Sequence, residues 1–149
     1  MDFRCRCRAR RVQRVKIGGF PRINGEFASA IRQAEIFYPG IGNMITVQVT
    51  PDAGMTGRAF GYYNEGTQTV ALSPRLEAEP CERIQGIISH ELGHVAAHLF
   101  GSLQDSGMGE EKKADAIASD LNGRTMRYDA WDVQTTGAGS TVRPAYLHE

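Results

Sequence analysis

The sequence is poor in the residues that mark several common classes of protein. Its three cysteines, an odd number in 149 residues, provide neither a regular disulfide scaffold nor a four-ligand cysteine site for a structural metal. No apolar run approaches the roughly 20 residues of a membrane-spanning helix, and the basic N-terminus lacks the apolar segment of a secretory signal. We therefore expect a cytoplasmic protein without a membrane span, in a reducing compartment.

Net charge is also lacking, because 17 basic and 17 acidic side chains cancel. This excludes an overall electrostatic bias toward nucleic acids or membranes. The charges are unevenly placed, since residues 1–16 hold seven basic side chains and one acidic side chain. We interpret residues 1–19 as a basic N-terminal arm. A frayed terminus is the favoured interpretation, beside a one-sided strand or a nucleic-acid contact through residues 4–16.

Apolar periodicity over the rest of the chain, residues 20–149, predicts a single α+β domain. Glycines around Pro21 predict a loop before the first helix. The elements predicted next are a helix over 26–37, a strand over 44–50 that ends at Pro51, a β-hairpin with arms 59–63 and 67–72 around Asn64-Glu65-Gly66, a helix from about Pro80 to Phe100, a helix over Glu110–Leu121, and an extended tail from about 122.

Histidine is scarce, with four in the chain, yet three of them lie within nine residues of "IISHELGHVAAHLF". His90, His94 and His98 recur every four residues and therefore share one face of a helix. The neighbouring face is apolar and consists of Ile84, Ile87, Ile88, Leu92, Val95 and Leu99. We predict a helix that is buried on one face and lined with imidazoles along the edge of that face.

The first two histidines and Glu91 form the H-E-x-x-H pattern. Two histidines four residues apart on a helix can bind one metal ion, and Glu91 lies about 100° around the helix, where it can act as general base. Gly93 within the pattern costs about 1 kcal/mol of helix propensity, which close approach of another backbone would explain. The pattern therefore predicts a catalytic metal site with His90 and His94 as ligands.

A catalytic zinc ion needs a third protein ligand. A histidine six residues after His94 would supply it in the metzincin pattern, but that position is Phe100. The following helix offers carboxylates in "GEEKKADAIASDL". We prefer Glu111 over its neighbour Glu110 as the third ligand, because Glu111 lies four residues before Asp115 on the same helical face.

Other polar residues are expected around the ligands. Asp115 would accept the outer N–H of a ligating histidine, with Ala114 and Ala118 allowing close helix packing. His98 lies about 12 Å along the helix from His90, too far to share the ion, so it is a neighbour of the site or a core histidine. Candidates for stabilising the oxyanion are Tyr62, Tyr128, Tyr146 and His148, and the sequence does not choose among them.

Together, "HELGHVAAH" and "EEKKADAIA" resemble the gluzincin-type metallopeptidases, and most of all the ImmA/IrrE-like and phage-encoded minimal metallopeptidases. The resemblance covers about residues 87–121. It implies a minimal zincin-like fold, Zn²⁺ as cofactor and peptide hydrolysis. The residues that match the family's pattern are His90, Glu91, His94, Glu111 and Asp115. Ile117 replaces the family's usual phenylalanine, and no helix-turn-helix module is visible, so repressor cleavage is not implied.

These observations predict a zinc metalloendopeptidase whose peptide or protein substrate lies extended along the edge strand of the hairpin. Two other functions stay open at this point. One is a non-catalytic zinc-binding interaction module. The other is a nucleic-acid-associated protein that uses the arginine-rich arm.

Overall fold

The computed structural model describes residues 18–51 and 60–123. Within these ranges three helices and a three-stranded sheet form an α+β domain, as predicted. The elements are α1 (Pro21–Phe37), β1 (Thr46–Val49), β2 (Gly61–Asn64), β3 (Thr69–Leu72), α2 (Cys81–Phe100) and α3 (Glu110–Asn122), with short 3₁₀ helices at Ile41–Asn43 and Pro74–Ala78. Residues 1–17 of the predicted basic arm, the tail beyond Gly123, and with it Tyr128, Tyr146 and His148, lie outside the described residues.

Helix α1 begins earlier than the sequence predicts. The stretch around Pro21 and Gly25 was expected to be a loop, but both residues lie within α1. The reason is a long-range cap: the carboxylate of Glu77 accepts the backbone N–H groups of Arg22 and Ile23, both at 2.9 Å. Two of the N–H groups that a helix N-terminus leaves without intrahelical partners are thereby satisfied.

The sheet has the order β1-β3-β2, with β1 parallel and β2 antiparallel to β3. The predicted hairpin is confirmed, but its turn is longer than the predicted Asn64-Glu65-Gly66. Asn64 pairs with Thr69, which leaves the four-residue loop 65–68 between the strands. Gln68 takes a positive φ of 53° in this loop. The sequence suggested Gly66 as the residue of the turn with special backbone conformation, so the longer turn was not predicted.

Helix α2 is the central element and packs against α1, α3 and β2. It begins one residue after Pro80, which occupies the N-cap rather than the first helical turn, and it ends at Gly101 in a left-handed conformation. The predicted apolar face is buried at Ile84, Ile87, Ile88, Leu92 and Val95, while Leu99 is partly buried against the core. Among the described residues no helix has both the length and the apolar character to cross a membrane.

Helices α2 and α3 approach each other closely at one point. A Cβ added at Gly93 would lie 2.4 Å from the backbone oxygen of Ala114, a distance that backbone atoms do not tolerate. The expected explanation for a glycine inside the histidine pattern is therefore confirmed. This contact brings the first turn of α3 beside the imidazole edge of α2.

Candidate metal centre

The structure brings the three predicted metal ligands together. Their ligand atoms form a group that could hold one metal ion. The Nε2 atoms of His90 and His94 lie 3.1 Å apart, and Glu111 Oε1 lies 2.9 Å from His90 Nε2. The second oxygen of Glu111 lies 3.4 Å from His94 Nε2. Helix α2 provides both imidazoles from one face, and the first turn of α3 provides the carboxylate.

Asp115 lies one turn beyond Glu111 and contacts the other side of the His90 ring. Its Oδ1 atom is 2.7 Å from His90 Nδ1, and the pair is buried. An Nδ1–H group donated to Asp115 leaves the lone pair of Nε2 facing the ligand group. The contact is the one that the sequence predicted for Asp115, and it sets the tautomer that a metal ligand requires.

The charges around His90 favour a cation at this position. Burial lowers the pKa of His90, but hydrogen bonds to Asp115 and Glu111 outweigh burial and raise it to about 10. Hydrogen bonds from His90 and His94 hold the pKa of the Glu111 carboxyl far below its ordinary range. In the absence of a metal a proton occupies His90, because a bare lone pair 2.9 Å from a carboxylate oxygen would be repelled.

The spacing of the donor atoms suits a small tetrahedral ion. Zinc binds imidazole nitrogen at about 2.0–2.1 Å, so two ligand atoms at the corners of its tetrahedron are about 3.3 Å apart. The separation between the two imidazole Nε2 atoms, 3.1 Å, and that between His90 Nε2 and Glu111 Oε1, 2.9 Å, lie close to this value. The residues therefore fit a metal ion both in charge and in donor geometry.

Glu91 lies beside the ligands and is buried, with 2% of its surface exposed. Its Oε1 atom is the one buried side-chain polar atom without a hydrogen-bond partner among residues 18–51 and 60–123. Burial raises the pKa of this carboxyl, and the neighbouring His90 and His94 only partly offset the effect. A buried carboxylate oxygen without a partner is costly, which suggests a role for Glu91 other than stabilising the fold.

These side chains line one open pocket of about 400 Å³. Its floor is formed by His90, Glu91 and His94. One wall is strand β2 with the following turn, and the other is the start of α3. Glu110, the rival third ligand, lies on this wall, but its carboxylate pairs with Lys113 at 3.1 Å and the ligand group contains Glu111 instead.

The β2 wall contains one tyrosine that was predicted from the sequence and one that was not. Tyr62, a predicted oxyanion candidate, lines the pocket and is 38% exposed. Tyr63, which sequence reasoning missed, also lines the pocket, and its hydroxyl lies 2.9 Å from His98 Nδ1. His98 is exposed, so the interpretation as a core histidine is wrong. Alternation along the predicted strand left open which of its faces meets α2, and in the structure the contact with His98 shows that Tyr63 lies on that face.

Comparison of the chain with models of protein families, with curated proteins and with solved structures found no match. Evidence for a function therefore comes from the geometry and chemistry of the site itself.

Proposed function

We propose that the chain is a zinc-dependent metallopeptidase of the gluzincin type, similar to the ImmA/IrrE-like and phage-encoded minimal metallopeptidases. The observation that carries the proposal is the position of Glu91. A buried carboxylate with an unpartnered oxygen lies in the same open pocket as a His-His-Glu group. A ligand group and a proton acceptor side by side are the minimum that metal-assisted hydrolysis requires.

His90, His94 and Glu111 are the residues that would hold the ion. Two imidazoles and one carboxylate are a ligand set used by catalytic zinc sites, which keep a further position for water or substrate. Asp115 holds the His90 ring in the tautomer that presents Nε2 to the ion. When bound, zinc would supply a Lewis acid that polarises the substrate carbonyl and lowers the pKa of water toward about 7.

Glu91 is assigned the proton transfers. It accepts a proton from the water that attacks the scissile carbonyl and then donates that proton to the nitrogen of the leaving amine. The burial that raises its pKa makes the carboxylate a stronger proton acceptor near neutral pH than an exposed glutamate. The same group therefore serves as base and then as acid, and its net charge is restored at the end of the cycle.

The substrate is proposed to be a peptide in extended conformation that lies along β2. Gly61, Tyr62 and Tyr63 form the pocket wall beside the ligands, and β2 is an outer strand of the described sheet. Backbone pairing of this kind recognises the shape of an extended chain more than its sequence. It places the scissile carbonyl over His90, His94 and Glu91.

A non-catalytic zinc module is less well supported. A purely structural centre has no use for a buried carboxylate with an unsatisfied oxygen, and structural zinc sites are usually closed by four protein ligands. Within the described residues the group contains three ligands and opens into a pocket.

The test is peptide hydrolysis by the zinc-loaded protein and by its Glu91→Gln variant. A quenched-fluorescence peptide mixture measures turnover, mass spectrometry locates the cleaved bond, and elemental analysis measures zinc. We expect Glu91→Gln to retain zinc and to lose turnover by about 10²–10⁴-fold. Glu82→Gln, which changes an exposed glutamate on the same helix, is the matched control. Turnover that persists in Glu91→Gln contradicts the assignment of the base.

A further inference from the structure

Tyr63 lines the pocket of the candidate metal centre and forms a polar pair with His98 that the proposed mechanism does not yet use. The phenol hydroxyl and the imidazole Nδ1 are 2.9 Å apart, and the two rings pack with their centroids 5.7 Å apart. His98 lies one helical turn beyond His94 on α2, so its imidazole continues the row formed by His90 and His94 along the helix.

The two tyrosines of β2 have different environments. Tyr63 faces α2 because it contacts His98 and pairs across the sheet with Val70, which lies in the core. Tyr62 is the next residue along the strand, so its side chain leaves the opposite face of the sheet. Tyr63 is thus the tyrosine that the fold orients and holds, while the 38% exposed Tyr62 lies at the pocket margin.

We infer that Tyr63 donates a hydrogen bond to the carbonyl oxygen of the scissile peptide as negative charge develops there, and that His98 is the positioning residue that holds the phenol in place. The inference rests on the proposed peptidase function and identifies the group that stabilises the transition state. Preorganised donors at such positions are among the largest contributors to catalysis of acyl transfer.

The role uses the arrangement in which Nδ1 of His98 carries a proton and donates a hydrogen bond to the phenol oxygen. A phenol has one O–H donor and two lone pairs, so its oxygen can accept from Nδ1–H while its own proton points to the substrate oxygen. No proton is transferred in this step, since the phenol only donates a hydrogen bond.

The phenol also retains its proton over the working pH range. Partial burial, and to a smaller extent the charge of Glu65, raise the pKa of Tyr63 to about 12. Glu65 Oε1 lies 3.9 Å from His98 Nε2, on the opposite side of the ring from Tyr63. The imidazole is therefore placed between an acidic side chain and the phenol that it orients.

Tyr63→Phe is the first test, with Tyr38→Phe as the matched control. Tyr38 also makes a 2.9 Å hydroxyl hydrogen bond, to Ser102, but it does not line the pocket. We expect Tyr63→Phe to lower kcat roughly 10²-fold with little change in KM or zinc content. Binding of a phosphinic peptide, a tetrahedral mimic of the transition state, should weaken about tenfold in Tyr63→Phe and stay unchanged in Tyr38→Phe.

His98 variants test the positioning role. We expect His98→Ala to lower kcat several-fold and to keep stoichiometric zinc, because His98 is not a ligand. His98→Asn should restore most of the loss, since its side-chain amide can reach the position of Nδ1. A merely structural role would show no such rescue, and the exposed position of His98 makes misfolding of these variants a minor concern.

Four outcomes overturn the inference. They are a Tyr63→Phe variant as active as Tyr38→Phe, a larger loss in Tyr62→Phe than in Tyr63→Phe, loss of zinc in His98→Ala, and no peptide turnover by the zinc-loaded wild-type protein. The last outcome also overturns the proposed function. The first three do not, provided that the wild-type protein cleaves peptides.

Discussion

Glutamates around α1 and the glutamate in the centre of α2 are used in opposite ways. Around α1, Glu77 accepts the backbone N–H groups of Arg22 and Ile23, and Glu35 accepts those of Gly40 and Gly42 at 2.8 Å. Both oxygens of each carboxylate are therefore occupied by the main chain.

Glu91 in the centre of α2 is more deeply buried than either, yet its Oε1 atom has no partner within the described chain. Glu77 and Glu35 stabilise the fold because their oxygens accept backbone hydrogen bonds. The buried Oε1 atom of Glu91 accepts none, so its burial is explained better by a function than by stability. The difference separates the glutamates that build the scaffold from the one assigned to chemistry.

The largest predicted effect concerns the proton on His90 and the pH dependence of zinc binding. With no metal, the pKa of His90 is raised to about 10, so His90 is protonated at neutral pH and zinc must displace that proton. Apparent zinc affinity should therefore rise about tenfold per pH unit from pH 6 to pH 8, roughly 100-fold in total.

The direct measurement is the imidazole nitrogen NMR signal of His90 in chelated protein, recorded over the same pH range. The ring should remain charged without zinc and become neutral with it. Loss of the proton near pH 6.5 in the metal-free protein would show that the carboxylates do not act on His90 as described.

A smaller effect is expected for the Glu77 cap at the start of α1. Glu77→Ala removes the cap from the first turn of α1 and leaves the N–H groups of Arg22 and Ile23 to water. We expect the free energy of unfolding to fall by about 1–2 kcal/mol, while zinc stoichiometry and turnover stay unchanged. Urea unfolding with a zinc assay on the same samples measures both. Loss of zinc in this variant would mean that the cap of α1 and the candidate metal site are not independent.

The smallest predicted effect is that of Glu91→Gln on stability, and it is opposite in sign to the effect of Glu77→Ala. In metal-free protein the ionised form of Glu91 is disfavoured by burial, so its cost to folding appears as pH rises above the ordinary glutamate range. Glu91→Gln removes that charge and should leave the free energy of unfolding at pH 7 unchanged or raise it by up to about 1 kcal/mol. Urea unfolding at pH 7 in the presence of chelator measures this change. A clear loss of stability would place Glu91 among the scaffold glutamates.

The candidate metal site could be predicted from the sequence because its determinants are local. His90 and His94 are brought together by one helical repeat, and Glu111 and Asp115 by another. Gly93 marked the contact between the two helices, since a glycine inside a helix has a known cost. The only long-range step was the docking of α3 on α2, and a small-residue face predicted it.

The parts that sequence reasoning missed depend on contacts between distant residues. Glu77 caps α1 from more than fifty positions away in the chain, so the start of α1 was misplaced. Tyr63 was overlooked in favour of Tyr62 because alternation along a strand does not say which face meets the helix. The role of His98 stayed open for the same reason, since its partner lies on another element.

Elemental analysis of the purified protein, wild type beside His94→Ala, tests the central claim most directly. His94 is partly exposed at the pocket and provides one of three donor atoms, so its removal should abolish tight metal binding with little harm to the fold. We predict one zinc per wild-type chain and none in His94→Ala, with both proteins folded by circular dichroism. No metal in the wild-type protein after zinc loading, or equal zinc in both proteins, would contradict the claim that these residues form a zinc centre.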